Sequence, residues 1–377
     1  MQVEFYRHNL DETDRANARR VLESVFLTTG PVCGEFEKRF AEYTGLEHAV
    51  ALNSCTDALH LALLALGIGP GDEVITTPMT FIASATAILH AGATPVLADV
   101  NPATGCLDPD RVREAVTPNT RAILPVHLYG TMCDMPALRE IADRHGLAIV
   151  EDAAHCVASS RGGVYVGELG DCACYSFYAT KNLTCGEGGA LATNNGELAE
   201  QVRLLRQHGM NKEASDRYHG TYQHWDMIEL GYKANLDDIR ASLMVDQITR
   251  LDEMQAERKR LHGVYSEALA GLLDAGLVEL PELRGEPSHH LFTVLVPENM
   301  RDELLTHMGA NGVGVAVNYR AIHTLTWFRE NLKHEPEDFP HACSIGRRTM
   351  SLPFYPGLTD EQVAYVVRVL AGKFGKG

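Results

Sequence analysis

From Ala49 onward, short apolar runs alternate with stretches of helix length. AVAL begins at 49, EVITT at 73, PVLAD at 95, RAILPV at 121, LAIVE at 147 and CYSF at 174. Between or after them lie TDALHLALLAL from 56, TFIASATAILHAG from 80, MPALREIADRHG from 135 and GELAEQVRLLRQHG from 196, each long enough to cross a sheet. This pattern predicts an α/β fold, a mainly parallel sheet covered by helices. Ligands of such sheets sit where the carboxyl ends of strands lead into helices, so those loops are the place to look for chemistry. A polar loop follows at Met210 to Glu229, and then Leu236 to Leu272 reads as helix. Beyond it come strand-like HHLFTVLV at 289 and VGVAVNY at 313, and a closing helix near Asp360 to Phe374. The expected division is a large domain over 1–250, N-terminal segment included, and a smaller α+β domain over 251–377.

Composition narrows the partners. A hydrophobic fraction of 45% supports a substantial core, and no apolar run of membrane-spanning length appears. The opening MQVEFYRHNLDETDR lacks a charged-then-apolar export pattern, so a soluble, cytoplasmic protein is expected. Nine scattered cysteines without a CxxC pair read as reduced thiols, with no metal site. A formal charge of −17 disfavours nucleic acid, and any anionic ligand must meet a local positive site.

Three features carry chemistry when taken together. Asp152, in VEDAAHC, follows the run LAIV and so stands at a strand's carboxyl end. It reads either as an N-cap for a following helix or as the partner of a protonated ring nitrogen. Lys181, in SFYATKNLTCGEGG, is a lone lysine among small and aromatic residues. Lysines in loops are usually solvated, whereas a Schiff-base lysine needs a desolvated pocket that lowers its pKa. Ser176, Thr180 and Thr184 add hydroxyls, and GEGG at 186–189 lets the backbone approach a ligand closely. Ser54 with Asp57 makes a capping pattern before an apolar helix, and such a helix start also binds phosphate through its N–H groups and dipole. GIGPG at 67–71 follows a helix and precedes a strand, the reverse of a dinucleotide fingerprint, and reads as a turn. A phosphate cradle, an aspartate and a lysine in that order are what pyridoxal phosphate requires.

These motifs resemble the fold-type I, aspartate-aminotransferase-like enzymes, and within them the sugar aminotransferases grouped as DegT/DnrJ/StrS. The resemblance runs nearly end to end through FLTTGP at 26, GDEVITTPMTFIAS at 71, GATPVLADV at 92, PVHLYG at 125, EDAAH at 151, SFYATKNLTCGEGG at 176, GYKANLDDI at 231 and NYRAIHT at 318. It is similar above all to the subgroup that aminates C4 of a nucleotide-linked sugar. The resemblance implies Lys181 as the Schiff-base residue and Asp152 as partner of the pyridine nitrogen. It also implies His155 beside the ring's 3-oxygen, Ser176 on the phosphate with Cys55, Thr56 and Asp57, and Phe81 stacked over the ring. It implies a homodimer with shared active sites, in which Lys233 or Asn235 of GYKANL reaches the neighbouring subunit's cofactor. Thr28, Thr29, Arg320 and His323 match segments lining the sugar-nucleotide side.

The implied reaction takes the amino group of L-glutamate, carries it as pyridoxamine phosphate and gives it to the keto sugar, with Lys181 shuttling the proton. Two alternatives share the fold: a pyridoxamine-dependent sugar 3-dehydratase and a non-catalytic regulator. Such dehydratases typically replace the lysine by histidine, and this chain keeps Lys181. A regulator has no evident reason to retain Asp152, Ser176 and Lys181 together. The loop Met210 to Glu229 is expected to help shape the sugar pocket.

Overall fold

The computed structural model of the chain describes residues 1–211 and 224–375, so most of the polar loop assigned to the sugar pocket lies outside the described residues. Eleven strands occur among them: β1 His48–Leu52, β2 Glu73–Thr76, β3 Thr94–Leu97, β4 Thr120–Leu124, β5 Ala148–Asp152, β6 Ser160–Arg161, β7 Val164–Tyr165, β8 Cys172–Ser176, β9 Gly189–Thr193, β10 Phe292–Leu295 and β11 Thr349–Leu352. Seven of them form one sheet in the order β1-β9-β8-β5-β4-β2-β3, while β6 and β7 make a short separate hairpin. The pairs β8–β5, β5–β4, β4–β2 and β2–β3 are parallel. Strand β9, which lies outside the six apolar runs, pairs antiparallel with both β1 and β8.

The strands are apolar at nearly every position because helices cover both faces. Ala49, Ala51, Ile75, Ile123, Ile149, Ala173 and Tyr175 point into one core with Phe36 and Phe40 of the helix Pro31–Thr44 and Leu138 and Ile141 of the helix Met135–His145. Their alternates, Val50, Leu52, Val74, Leu124, Val150 and Cys174, point into a second core. That core is filled by the helices Cys55–Ala65, Ala83–His90 and Gly196–Leu205. The first of these is buried almost all round, since it packs on the sheet and on both neighbouring helices. This explains why its sequence lacks a polar stripe.

A third apolar cluster joins β10 and β11, which pair antiparallel, to Leu261, Tyr265, Leu304, Met308 and Val366. Val3, from the far end of the chain, is buried in the same cluster and bridges Val313. The strand expected over VGVAVNY does not form. Val313 and Ala316 make isolated one-residue bridges, to Val3 and Ser351, and no ladder grows between them. The helix expected over Leu236 to Leu272 is also broken, into Asp238–Ser242, a 3-10 turn at Gln247–Arg250, Leu251–Ala268 and a further turn of helix from Ala270. The closing helix spans Asp360–Lys373. Among the described residues, no helix is long and apolar enough to cross a membrane.

Candidate active site

A cavity of about 510 Å³ opens where the carboxyl ends of β1, β2, β5 and β8 meet the start of β9. Its wall includes Ser54, Cys55, Thr56, Phe81, Asp152, His155, Ser176 and Lys181, contributed by segments spread over more than a hundred positions of the chain. Ser54 caps the helix Cys55–Ala65, its Oγ accepting from the Asp57 N–H at 3.0 Å and donating to the Asp57 carboxylate at 2.8 Å. The helix start sits hard against β9 because Gly189 has no side chain: a Cβ there would land on the Ser54–Cys55 peptide. The last glycine of GEGG is thus required by close backbone approach rather than by a turn.

Asp152 ends β5 and is 5% exposed. No helix begins on it, so the N-cap reading falls away: its Oδ1 accepts from the Ala154 N–H at 3.1 Å and its Oδ2 from the Ser84 hydroxyl at 2.7 Å. Burial pushes its pKa up, and the Ser84 and Ala154 bonds and the charge of Lys181 pull it back.

Lys181 lies beyond β8 in a tight turn, its N–H donating to the Tyr178 carbonyl at 2.9 Å. Phe177 anchors that turn by packing edge-on against Phe36 and Phe40. Thr184 does not face the cavity; its hydroxyl donates to the Phe177 carbonyl at 3.2 Å and closes the loop. Asn182 ties the same loop to a distant segment, donating to the Ser288 carbonyl at 2.8 Å and pairing with His290 Nδ1 at 3.1 Å. Burial lowers the Lys181 pKa to about 8, against the attraction of Asp152. A lysine so placed supplies neutral amine near physiological pH.

His155 accepts the Tyr129 N–H on Nδ1 at 3.2 Å, and burial holds its pKa well below the ordinary range. The neutral ring therefore keeps its hydrogen on Nε2, which donates to the Tyr319 hydroxyl at 3.1 Å. His290 backs it, with ring centroids 4.4 Å apart. Phe81 is 54% exposed on the cavity wall, 5.7 Å from the Tyr319 ring, a bare aromatic face of the kind a planar ligand covers.

The remaining expected residues lie elsewhere. Asn235 is buried, its Nδ2 donating to Thr29 Oγ1 at 2.5 Å while its Oδ1 accepts from Lys233 Nζ at 2.6 Å. Thr29 is buried too, donating to the Leu236 carbonyl at 2.6 Å. Thr28, Lys233 and Arg320 are exposed outside the cavity. His323 does not line the cavity: at 0% exposure it packs edge-on against Phe339, 5.0 Å between centroids, in a turn that the Ile322 N–H fastens to the Pro78 carbonyl. The structure adds Phe5, Thr80, Tyr178, Asn318 and Tyr319 to the cavity wall. Tyr319 stands inside the segment NYRAIHT at 318, whereas Phe5 carried no local signal, being brought in by the pairing of Val3 with residues 312–314.

Carboxylate, lysine and helix start at one end of this sheet define an aspartate-aminotransferase-like site. The model of the DegT/DnrJ/EryC1/StrS aminotransferase family matches residues 8–371. The chain is 42% identical over 358 residues to the spore coat polysaccharide biosynthesis protein SpsC of Bacillus subtilis (strain 168), covering 93% of this chain and 91% of that protein. Its structure superposes on S. venezuelae DesV with a TM-score of 0.90 at 39% identity, over 99% of this chain and 98% of the other. It superposes on Helicobacter pylori PseC, an aminotransferase involved in the biosynthesis of pseudoaminic acid, with a TM-score of 0.92 at 25% identity over 100% of both. The chain belongs to the DegT/DnrJ/EryC1/StrS aminotransferase family, and with it to the pyridoxal-phosphate-dependent sugar aminotransferases.

Proposed function

We propose that this enzyme transfers the amino group of L-glutamate to C4 of a nucleotide-linked keto sugar. One observation carries the reading: Lys181, Asp152, Ser176 and the start of the Cys55–Ala65 helix open into a single cavity. The parts SpsC and PseC play in spore coat polysaccharide and pseudoaminic acid biosynthesis support a sugar acceptor. The choice of C4 and of a nucleotide carrier is supported by the motifs shared with the C4 subgroup.

The residues present fit pyridoxal phosphate. The helix start and Ser176 suit its phosphate; since the Asp57 N–H is already taken by Ser54, the helix part of that task falls to Cys55 and Thr56. Asp152 suits the ring nitrogen and Phe81 the ring face; His155, whose Nε2 hydrogen is shared with the Tyr319 hydroxyl, is the residue we assign beside the 3-oxygen. When bound, the cofactor supplies the electron sink and the carrier for the amino group. The chain supplies placement and proton movement: Lys181 Nζ takes and returns the proton, while Asp152 holds a proton on the ring nitrogen.

A homodimer completes this reading. Lys233 is exposed and its neighbour Asn235 is locked to Thr29, so Lys233 is the residue we assign to the neighbouring subunit's cofactor. Leu22, Val25 and Leu27, next to Thr28, are 60%, 81% and 45% exposed, which supports their burial against a second copy. Thr28 and Arg320 are the substrate-side residues kept in the proposal. The cysteines are free and buried, in keeping with a reducing, cytoplasmic setting.

The test uses 15N-labelled glutamate and a panel of nucleotide-linked 3-keto and 4-keto sugars, with products read by mass and by NMR. Label at C4 is expected. Label at C3 would overturn the position, a deoxygenated unlabelled sugar would mark a dehydratase, and failure of glutamate to bleach the yellow enzyme would mark a regulator. Borohydride reduction before glutamate, followed by peptide mapping, is expected to leave the cofactor on Lys181.

A further inference from the structure

Ser84 is the second residue of the helix Ala83–His90, yet its hydroxyl serves neither as a cap nor chiefly the backbone. It lies 2.7 Å from Asp152 Oδ2 and 3.4 Å from the Phe81 carbonyl, and the shorter, charge-assisted bond to the carboxylate dominates. Thr80, one helical turn earlier, places its hydroxyl 2.7 Å from that of Ser84. An ionised carboxylate can only accept, so the single Ser84 hydrogen goes to Asp152 and Thr80 donates to Ser84. The three side chains form a directed relay, 2%, 0% and 5% exposed, with bulk water largely excluded.

We infer that Ser84, oriented by Thr80, is a positioning residue for Asp152: it fixes the carboxylate rotamer and keeps the shared proton on the cofactor's ring nitrogen. The inference rests on Asp152 being the partner of that nitrogen. Its physical basis is a competition for one proton. In a buried pair, the proton stays on nitrogen only while the carboxylate is the weaker base. Two donors, Ser84 and the Ala154 N–H, weaken its basicity; burial alone strengthens it. Removing Ser84 moves the proton toward Asp152, leaving a neutral ring that draws electrons poorly. A fourth acceptor position of the carboxylate is not needed, since Ser84 and Ala154 leave capacity for a further donor.

The test compares Ser84→Ala and Ser84→Thr with wild type in two ways. In the full chain freed of cofactor, the Asp152 carboxyl infrared band, identified by its loss in Asp152→Asn, is titrated. Ser84→Ala is expected to raise its midpoint by about one to two pH units, the loss of one hydrogen bond to a charged group. In the holoenzyme, kcat is expected to fall roughly tenfold to a hundredfold while KM for glutamate changes little. Ser84→Thr, which keeps the hydroxyl, restores both. Should Ser84→Ala fail to fold, Ser84→Cys, a weaker donor of similar size, gives the same comparison. An unmoved midpoint with normal kcat in the substituted enzyme, or failure of threonine to rescue, overturns the inference. Normal turnover in Asp152→Asn would instead overturn the reading of Asp152 itself, leaving the titration result of Ser84→Ala standing.

Discussion

Asn235 donates from Nδ2 to Thr29 Oγ1 at 2.5 Å, across 206 positions of sequence. With its Oδ1 accepting from Lys233 Nζ, the amide is held inside the chain, and the two remaining ammonium hydrogens of the exposed lysine suit it, in the proposed dimer, to the neighbouring cofactor. Mixing a Lys181→Ala chain with a Lys233→Ala chain should therefore restore activity that neither has alone. Random subunit exchange should give about a quarter of wild-type activity, since half of the dimers hold one intact site of two. Asn235→Ala should instead lower stability by about 1–3 kcal/mol, by unpairing buried groups, in denaturant titration. Recovery of activity with the Asn235 variant and not with the Lys233 variant would reverse the assignment.

Burial sets Lys181 titrating at about 8, below its ordinary 10.5. Between those values the unfolded chain binds the proton more tightly, so stability rises with pH across that window, and below pH 8 the buried charge carries its full penalty. Cofactor-free Lys181→Met should consequently melt higher than the cofactor-free wild type at pH 7. The gap should shrink as pH rises through 8 toward 10.5. A gap independent of pH in calorimetry would show that Lys181 is not desolvated.

Asp152→Asn should fold, because an amide of the same shape replaces a carboxylate whose ionisation burial disfavours. It should still bind cofactor through the phosphate contacts, yet turn over at least about a hundredfold more slowly, as expected for losing a buried charge-assisted contact of about 3 kcal/mol. Steady-state kinetics beside a cofactor titration separate the two effects. Retained turnover would return Asp152 to a purely structural part.

Gly189→Ala drives a methyl into the Ser54–Cys55 peptide and should push the helix start off β9. The expected loss is about 1–3 kcal/mol of stability, with weaker cofactor affinity, read by denaturant titration and by equilibrium binding. Gly263, inside the helix Leu251–Ala268, has open space beyond its Cα. Gly263→Ala should be neutral or stabilising by up to about 1 kcal/mol. Equal effects from both substitutions would remove the argument for close approach at the cradle.

Elements whose signal is local were legible along the chain. Apolar runs such as LAIV and the segment around CYSF became β5 and β8 because strands buried on both faces need apolar residues at successive positions. The ends of those strands placed Asp152 and Ser176, with Lys181 five residues beyond Ser176, on the edge where such sheets bind ligands. Features that depend on partners distant in sequence were set by packing. Whether VGVAVNY pairs as a strand depended on Val3 and Ser351, and each offered it a single bridge. The antiparallel direction of β9 was fixed by the turn through Lys181 and by its two neighbours, since its own alanine-rich run has little strand preference. Ser84 reads in sequence as an ordinary helix residue, and only the packing of its helix beside β5 brings it, 68 positions away, onto Asp152. A side chain's type is written in the sequence, but its hydrogen-bond partner is chosen by the surfaces that hydrophobic burial forces together.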